Sequence, residues 1–89
     1  MHDTLIDAVI NKRIEEAAAG GDIDLLRQHL SPNYDEQVHR LVYRALGRIG
    51  GLKSLRILVA AASSETSDET KQAILEALAD AVWARSSLE

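Results

Sequence analysis

The sequence predicts an all-α domain of about five short antiparallel helices, and three observations carry that prediction. Apolar residues recur at helical spacing in each of five segments, and no segment sustains the alternation of a strand. Gly20-Gly21, Ser31-Pro32-Asn33, Gly50-Gly51 and the polar run 63–67 separate those segments. The apolar content, 46%, is supplied by Leu, Ala, Ile and Val, with no Phe, one Trp and two Tyr. Small aliphatic side chains let helices approach closely, so this composition favours helix-on-helix packing.

The first helix runs from about Thr4 to Ala19. Thr4 followed by Asp7 has the form of a capping box, and Leu5, Ile6, Val9, Ile10, Ile14, Ala17 and Ala18 trace one stripe. Asp22 caps a short second helix carrying Ile23, Leu26 and Leu30, which Pro32 stops. Asp35 starts a third with the cleanest helical period in the chain: Val38, Leu41, Val42, Ala45, Leu46 and Ile49. Gly50-Gly51 turns into a fourth helix with Leu52, Leu55, Leu58, Val59 and Ala62 on its face. The fifth starts near Ser67, where Thr66 and Glu69 offer a second capping box, and continues through Ile74, Ala77, Leu78, Ala81 and Val82.

The third helix, shifted by 32 residues, lands on the fifth. Val42 meets Ile74, Ala45 meets Ala77, Leu46 meets Leu78, Gly47 meets Ala79 and Ile49 meets Ala81, while Asp35 meets Ser67, a cap for a cap. A period in the thirties built on a helix–turn–helix unit is the mark of an α-solenoid, in which each hairpin buries its apolar face against the next.

The residues that carry this repeat, DEQVHRLVYRALGRIGGLKSLRILV followed by DETKQAILEALADAV, resemble HEAT repeats, more narrowly the short HEAT-like repeats of the phycobilisome-lyase type within the armadillo-like group. The resemblance covers roughly Asp35 to Val82 and implies a right-handed HEAT-like solenoid fragment. The expected organisation is one helical domain over 1–89, with 1–34 as a degenerate capping hairpin and 35–86 as a repeat and a half. The N-terminal pair, EEAAAGGDIDLLRQHL, fits the repeat less well; it also resembles an ankyrin helix pair, without the turn motif that precedes one. HEAT-like proteins act as scaffolds and partner-binding modules, so the resemblance implies that class. Some relatives assist bilin attachment and some bind nucleic acid; no residue here matches a motif specific to either.

Composition bounds the function further. A chain of 89 residues buries only about 60–65% of its unfolded surface, too little core for a deep catalytic cleft. The absence of Cys removes disulfides, thiolate chemistry and most zinc sites, and accords with a reducing, cytoplasmic setting. The longest apolar stretch, Ile57 to Ala62, is far shorter than a membrane span, and the N-terminus lacks the basic start of a signal peptide. Leu88-Glu89 has the look of a tag remnant and carries no argument.

No residue set assembles a catalytic or metal centre. His2, His29 and His39 fall in separate segments without the i, i+4 spacing of a ligand pair, and His39 reads as a solvated surface residue beside Glu36 and Tyr43. Ser63, Ser64 and Thr66 read as loop and cap residues, and the glycine pairs lack the Lys-Ser/Thr of a phosphate loop. Asp22-Asp24 and Glu65 with Asp68-Glu69 lack the twelve-position calcium pattern. The expectation is a protein that is not an enzyme and binds no cofactor.

Charge is more informative. Residues 1–34 carry 3 basic and 6 acidic side chains, residues 35–62 carry 5 and 2, and residues 63–89 carry 2 and 6. The middle hairpin is thus a basic island, and Arg40, Arg44 and Arg48 recur every four residues along the third helix. In one reading they contact an acidic protein surface or phosphates. In the other they pair internally with Glu15, Glu16, Glu76 or Asp80, which stacking brings alongside, and this reading carries the greater weight. Nucleic acid is the less favoured partner, because the formal charge is −4 and both flanks are acidic. Trp83 lies off the Ile74/Leu78/Val82 stripe and Tyr43 on the shoulder beside Arg40, so both join the arginines as candidate partner-binding residues. Trp83 and the alanines of the fifth helix also motivate a homodimer through that helix.

Overall fold

The computed structural model describes residues 3–65 and 67–87, with side chains described for 8–65 and 67–83. Five helices follow in order: α1 (Asp3–Gly20), α2 (Ile23–Gln28), α3 (Glu36–Ile49), α4 (Gly51–Ser64) and α5 (Asp68–Ser87), with no strand among the described residues. The prediction of five helices is met.

The turns follow from local chemistry. Asp22 Oδ1 accepts a hydrogen bond from the Leu25 N–H at 3.2 Å and Asp35 Oδ1 accepts one from the Val38 N–H at 3.1 Å, each satisfying a free amide of the first turn. Ser67 does the same for α5, its Oγ accepting from the Thr70 N–H at 3.5 Å, so the correspondence of Asp35 with Ser67 is geometric as well as sequential. Between α3 and α4, Gly50 and Gly51 adopt φ of 70° and 85°, a region that side chains disfavour, and Gly50 N–H closes α3 on the Leu46 carbonyl at 2.9 Å.

α3 is the hub and packs against every other helix. α1, α3 and α5 lie side by side with α3 between, and α2 and α4 pack beneath as their hairpin partners. The slab measures 45 × 29 × 17 Å. Its core is aliphatic: Leu26, Val42, Ala45, Leu46, Leu58, Ile74 and Ala81 are fully buried. Alanine and glycine bring α3 and α5 together closely, since a Cβ added at Gly47 would lie 2.7 Å from the Ala77 carbonyl oxygen.

Several sequence assignments shift. α2 ends at Gln28, before Leu30 and well before Pro32. The His29 and Leu30 amides donate to Leu26 and Arg27 in tight i→i−3 turns, and the His29 ring takes the Leu25 carbonyl at 2.9 Å, which winds the helix to a stop. Val9, Leu52, Val59 and Val82, assigned to core stripes, are all more than half exposed. Their helical phase is right, but no element among the described residues covers that side. In their place Ser54, Thr70 and Ala73 complete the buried faces of α4 and α5. The Thr4/Asp7 capping box, the Leu5 and Ile6 side chains and the Thr66 end of the second box lie outside the described side chains.

Candidate functional site

The arginine row behaves differently along its length. An i, i+4 step advances about 40° around a helix of 3.6 residues per turn, so Arg40, Arg44 and Arg48 wind across the face of α3 and do not run straight along it. Arg40 leans towards α5 and pairs with Glu69 at 3.7 Å and with Glu36 at 3.8 Å. Arg44 and Arg48 are exposed and carry no ion pair among the described residues. The internal-pairing expectation therefore holds for Arg40 alone, and with Glu36 and Glu69 in place of Glu15, Glu16, Glu76 or Asp80.

Three of those four carboxylates, Glu15, Glu76 and Asp80, nevertheless line the same depression as Arg44 and Arg48. The face of α3 is the floor of a groove walled by α1 and α5, made of two adjoining depressions of about 360 and 350 Å³ that share Asn11, Leu41 and Arg44. Ile10 and Gln37 line one end; Glu15, Glu76, Asp80 and Arg48 line the other. The floor is mixed, with Ile14 and Leu41 giving it apolar patches between the guanidinium groups. Chemically the groove offers planar guanidinium forks, which take carboxylates bidentately, beside aliphatic patches that reward burial.

Tyr43 is not part of that surface. Its side chain is 6% exposed, on the flank of α3 that α5 covers, and burial, with the Glu65 carboxylate adding to it, pushes its phenol above the usual 10.0. Trp83 is the opposite case, 76% exposed on α5. Sequence spacing puts it within about 20° of Glu76 around the helix, on the outer rim of the acidic wall.

Neither described histidine stands free in solvent. His39 is half-buried and its Nε2 donates to the Ser31 carbonyl at 3.0 Å, tying the turn after α2 to α3, which corrects the expectation of a solvated residue. His29 is buried, stacked on Tyr34 at 4.8 Å between ring centroids. Lys53 of the basic island pairs with Asp24 at 3.2 Å, joining α4 to α2. No group of three or more His, Asp or Glu among the described residues is placed to hold a metal ion, and no described helix is long and apolar enough to cross a membrane.

Sequence reasoning missed the apolar part of the floor, since Ile10 and Leu41 were counted as core. The signal was present in Leu41, which lies about 140° from Leu46 on the α3 wheel, too far round to share its direction.

Compared with known protein families, the chain matches the model for HEAT repeats over residues 5–79. The match therefore takes in the first hairpin as well as the stretch from Asp35 that carries the resemblance most clearly. No curated protein and no solved structure matches the chain.

Proposed function

Because the chain belongs to the HEAT repeat family, whose repeats are generally protein–protein interaction modules and typically non-catalytic, we propose that it is a small adaptor or regulatory subunit taking a segment of a partner protein into the groove over α3. The observation that carries this reading is that Arg44 and Arg48 are exposed and unpaired among the described residues while Glu15, Glu76 and Asp80 share their groove. Two guanidinium groups held apart from the acids beside them are available to a partner's carboxylates. Arg40, already held by Glu36 and Glu69, props the α5 wall and contributes less directly. Trp83 on the rim extends the contact, as aromatic side chains commonly anchor interfaces. A cytoplasmic setting accords with the Cys-free chain.

Binding of nucleic acid or another polyanion through the same arginines is the second reading. It is the weaker, because the acidic wall residues Glu76 and Asp80 would face the phosphates and the chain carries a net charge of −4.

The test compares wild type with Arg44→Glu/Arg48→Glu in capture from native lysate at low and raised salt, with circular dichroism on both. A folded variant that loses a protein retained by wild type supports the groove. A folded variant that keeps the same proteins sinks it, and loss of nucleic acid in place of protein promotes the second reading.

A further inference from the structure

The two depressions over α3 differ in charge, and the difference runs along the helix. Ile10 meets Gln37 in the first and Glu15 meets Arg48 in the second, so α1 and α3 run in the same direction. α5 runs with them: Glu69 pairs with Arg40 in the first half of α3, and Asp80 stands with Arg48 near its end. The first depression is lined by Arg40, Arg44 and the side-chain amides of Asn11 and Gln37, with no carboxylate in its lining. The second keeps Arg44, adds Arg48 and brings in Glu15, Glu76 and Asp80. One end of the groove is therefore basic, and at the other the acids outnumber the arginines.

The charges of the second depression are also left open to an occupant. All five of its charged residues are exposed. Among the described residues no ion pair joins either arginine to Glu15, Glu76 or Asp80, and Glu76 accepts only a 3.5 Å hydrogen bond from the Gln72 amide. An occupant of one sign does not suit both ends. A wholly acidic segment gains at Arg44 and is repelled by the three carboxylates, and a wholly basic one meets the reverse.

Resting on the groove reading above, we propose that the partner's segment is dipolar. An acidic side chain sits with Arg44 and the Asn11 and Gln37 amides, whose N–H groups donate to a carboxylate. A basic side chain sits with Glu76 and Asp80, and an apolar side chain between them covers Leu41. The direction is set by α3: acid towards Gln37, base towards Arg48. The linings are offset by four residues of α3 and reach from Arg40 to Arg48, so the two seats lie about 6–12 Å apart along the helix. That distance corresponds to about two to four residues of an extended segment, or about four to eight of a helical one.

The test selects random peptides displayed on phage against the immobilised full chain and reads the enriched sequences. They are expected to carry a carboxylate and a Lys or Arg at that separation, flanking an apolar residue. One such peptide, made synthetically, is expected to bind Glu76→Lys/Asp80→Lys about tenfold or more weakly than wild type. Replacing the peptide's basic residue with Glu is expected to recover binding to that variant. Circular dichroism checks the fold, and Glu76→Gln/Asp80→Asn makes the same comparison should the double lysine variant lose its helicity. Enriched peptides that carry acids alone and bind Glu76→Lys/Asp80→Lys as well as wild type overturn the dipolar partner and leave the groove standing. Peptides that bind Arg44→Glu/Arg48→Glu as well as wild type overturn both. A selection that enriches no such charged pair overturns the dipolar partner as well.

Discussion

α3 and α5 are two readings of one repeat. The 32-residue shift pairs Tyr43 with Leu75, Gly47 with Ala79 and Gly50 with Val82. On α3 the first member of each pair is buried; on α5 the second is exposed. The two helices have nearly the same apolar spacing, yet one is covered on both flanks and the other on one. Burial in a solenoid is therefore a property of the neighbour. A helix with the right period supplies a face, and the next hairpin decides whether that face becomes core.

The comparison can be broken most forcefully at its centre. Leu46→Ala on α3, at a fully buried position, is expected to cost about 2–5 kcal/mol by urea unfolding, while Leu75→Ala on α5 stays within about 0.5 kcal/mol at monomer concentrations. Equal losses would mean that the outer flank of α5 is covered after all.

A smaller effect tests the contact between the two helices. Gly47→Ala gains helix propensity but drives a methyl group into the Ala77 backbone, with 2.7 Å to its carbonyl oxygen and 2.8 Å to its Cα. Backbone cannot rotate aside, so a net loss of about 1–3 kcal/mol is expected from thermal unfolding. A gain in stability would show that α3 and α5 leave room for the added methyl group.

The smallest effect sharpens the comparison by making α5 more like α3. Thr70 is fully buried with its hydroxyl lacking a hydrogen-bond partner among the described residues, and its counterpart under the shift is Val38. Thr70→Val keeps the shape and removes the unsatisfied group, so unfolding is expected to require about 1 kcal/mol more. A destabilised variant would reveal a partner for that hydroxyl.

Much of this was legible in the residues. Asp22, Asp35 and Ser67 cap as their types and positions require, and the glycine pair at 50 and 51 turns where no larger side chain sits easily. These are local devices whose physics is complete within four or five residues. Coverage is not local, and Leu52, Val59 and Val82 were misplaced for that reason: periodicity records that residues share a side, and says nothing of what stands opposite. Charge showed the same divide. Counting acids around a basic segment anticipated internal pairing, but the partners of Arg40 are Glu36 and Glu69, chosen by the drift of an i, i+4 row round the helix. Tyr43 was lost to the candidate surface because its position on the shoulder of α3 becomes interior once α5 is laid against it.

The contact of Gly47 with Ala77 has a consequence for the charges above it. The glycine acts as a spacer one atom thick, and the distance it permits sets how far the Glu76 and Asp80 carboxylates stand from Arg44 and Arg48 across the groove. Enlarging that spacer would push the α5 wall outward and alter the field over the arginines without touching a charged residue. In a stack of repeats, the residue that tunes an electrostatic surface can be the smallest one in the core.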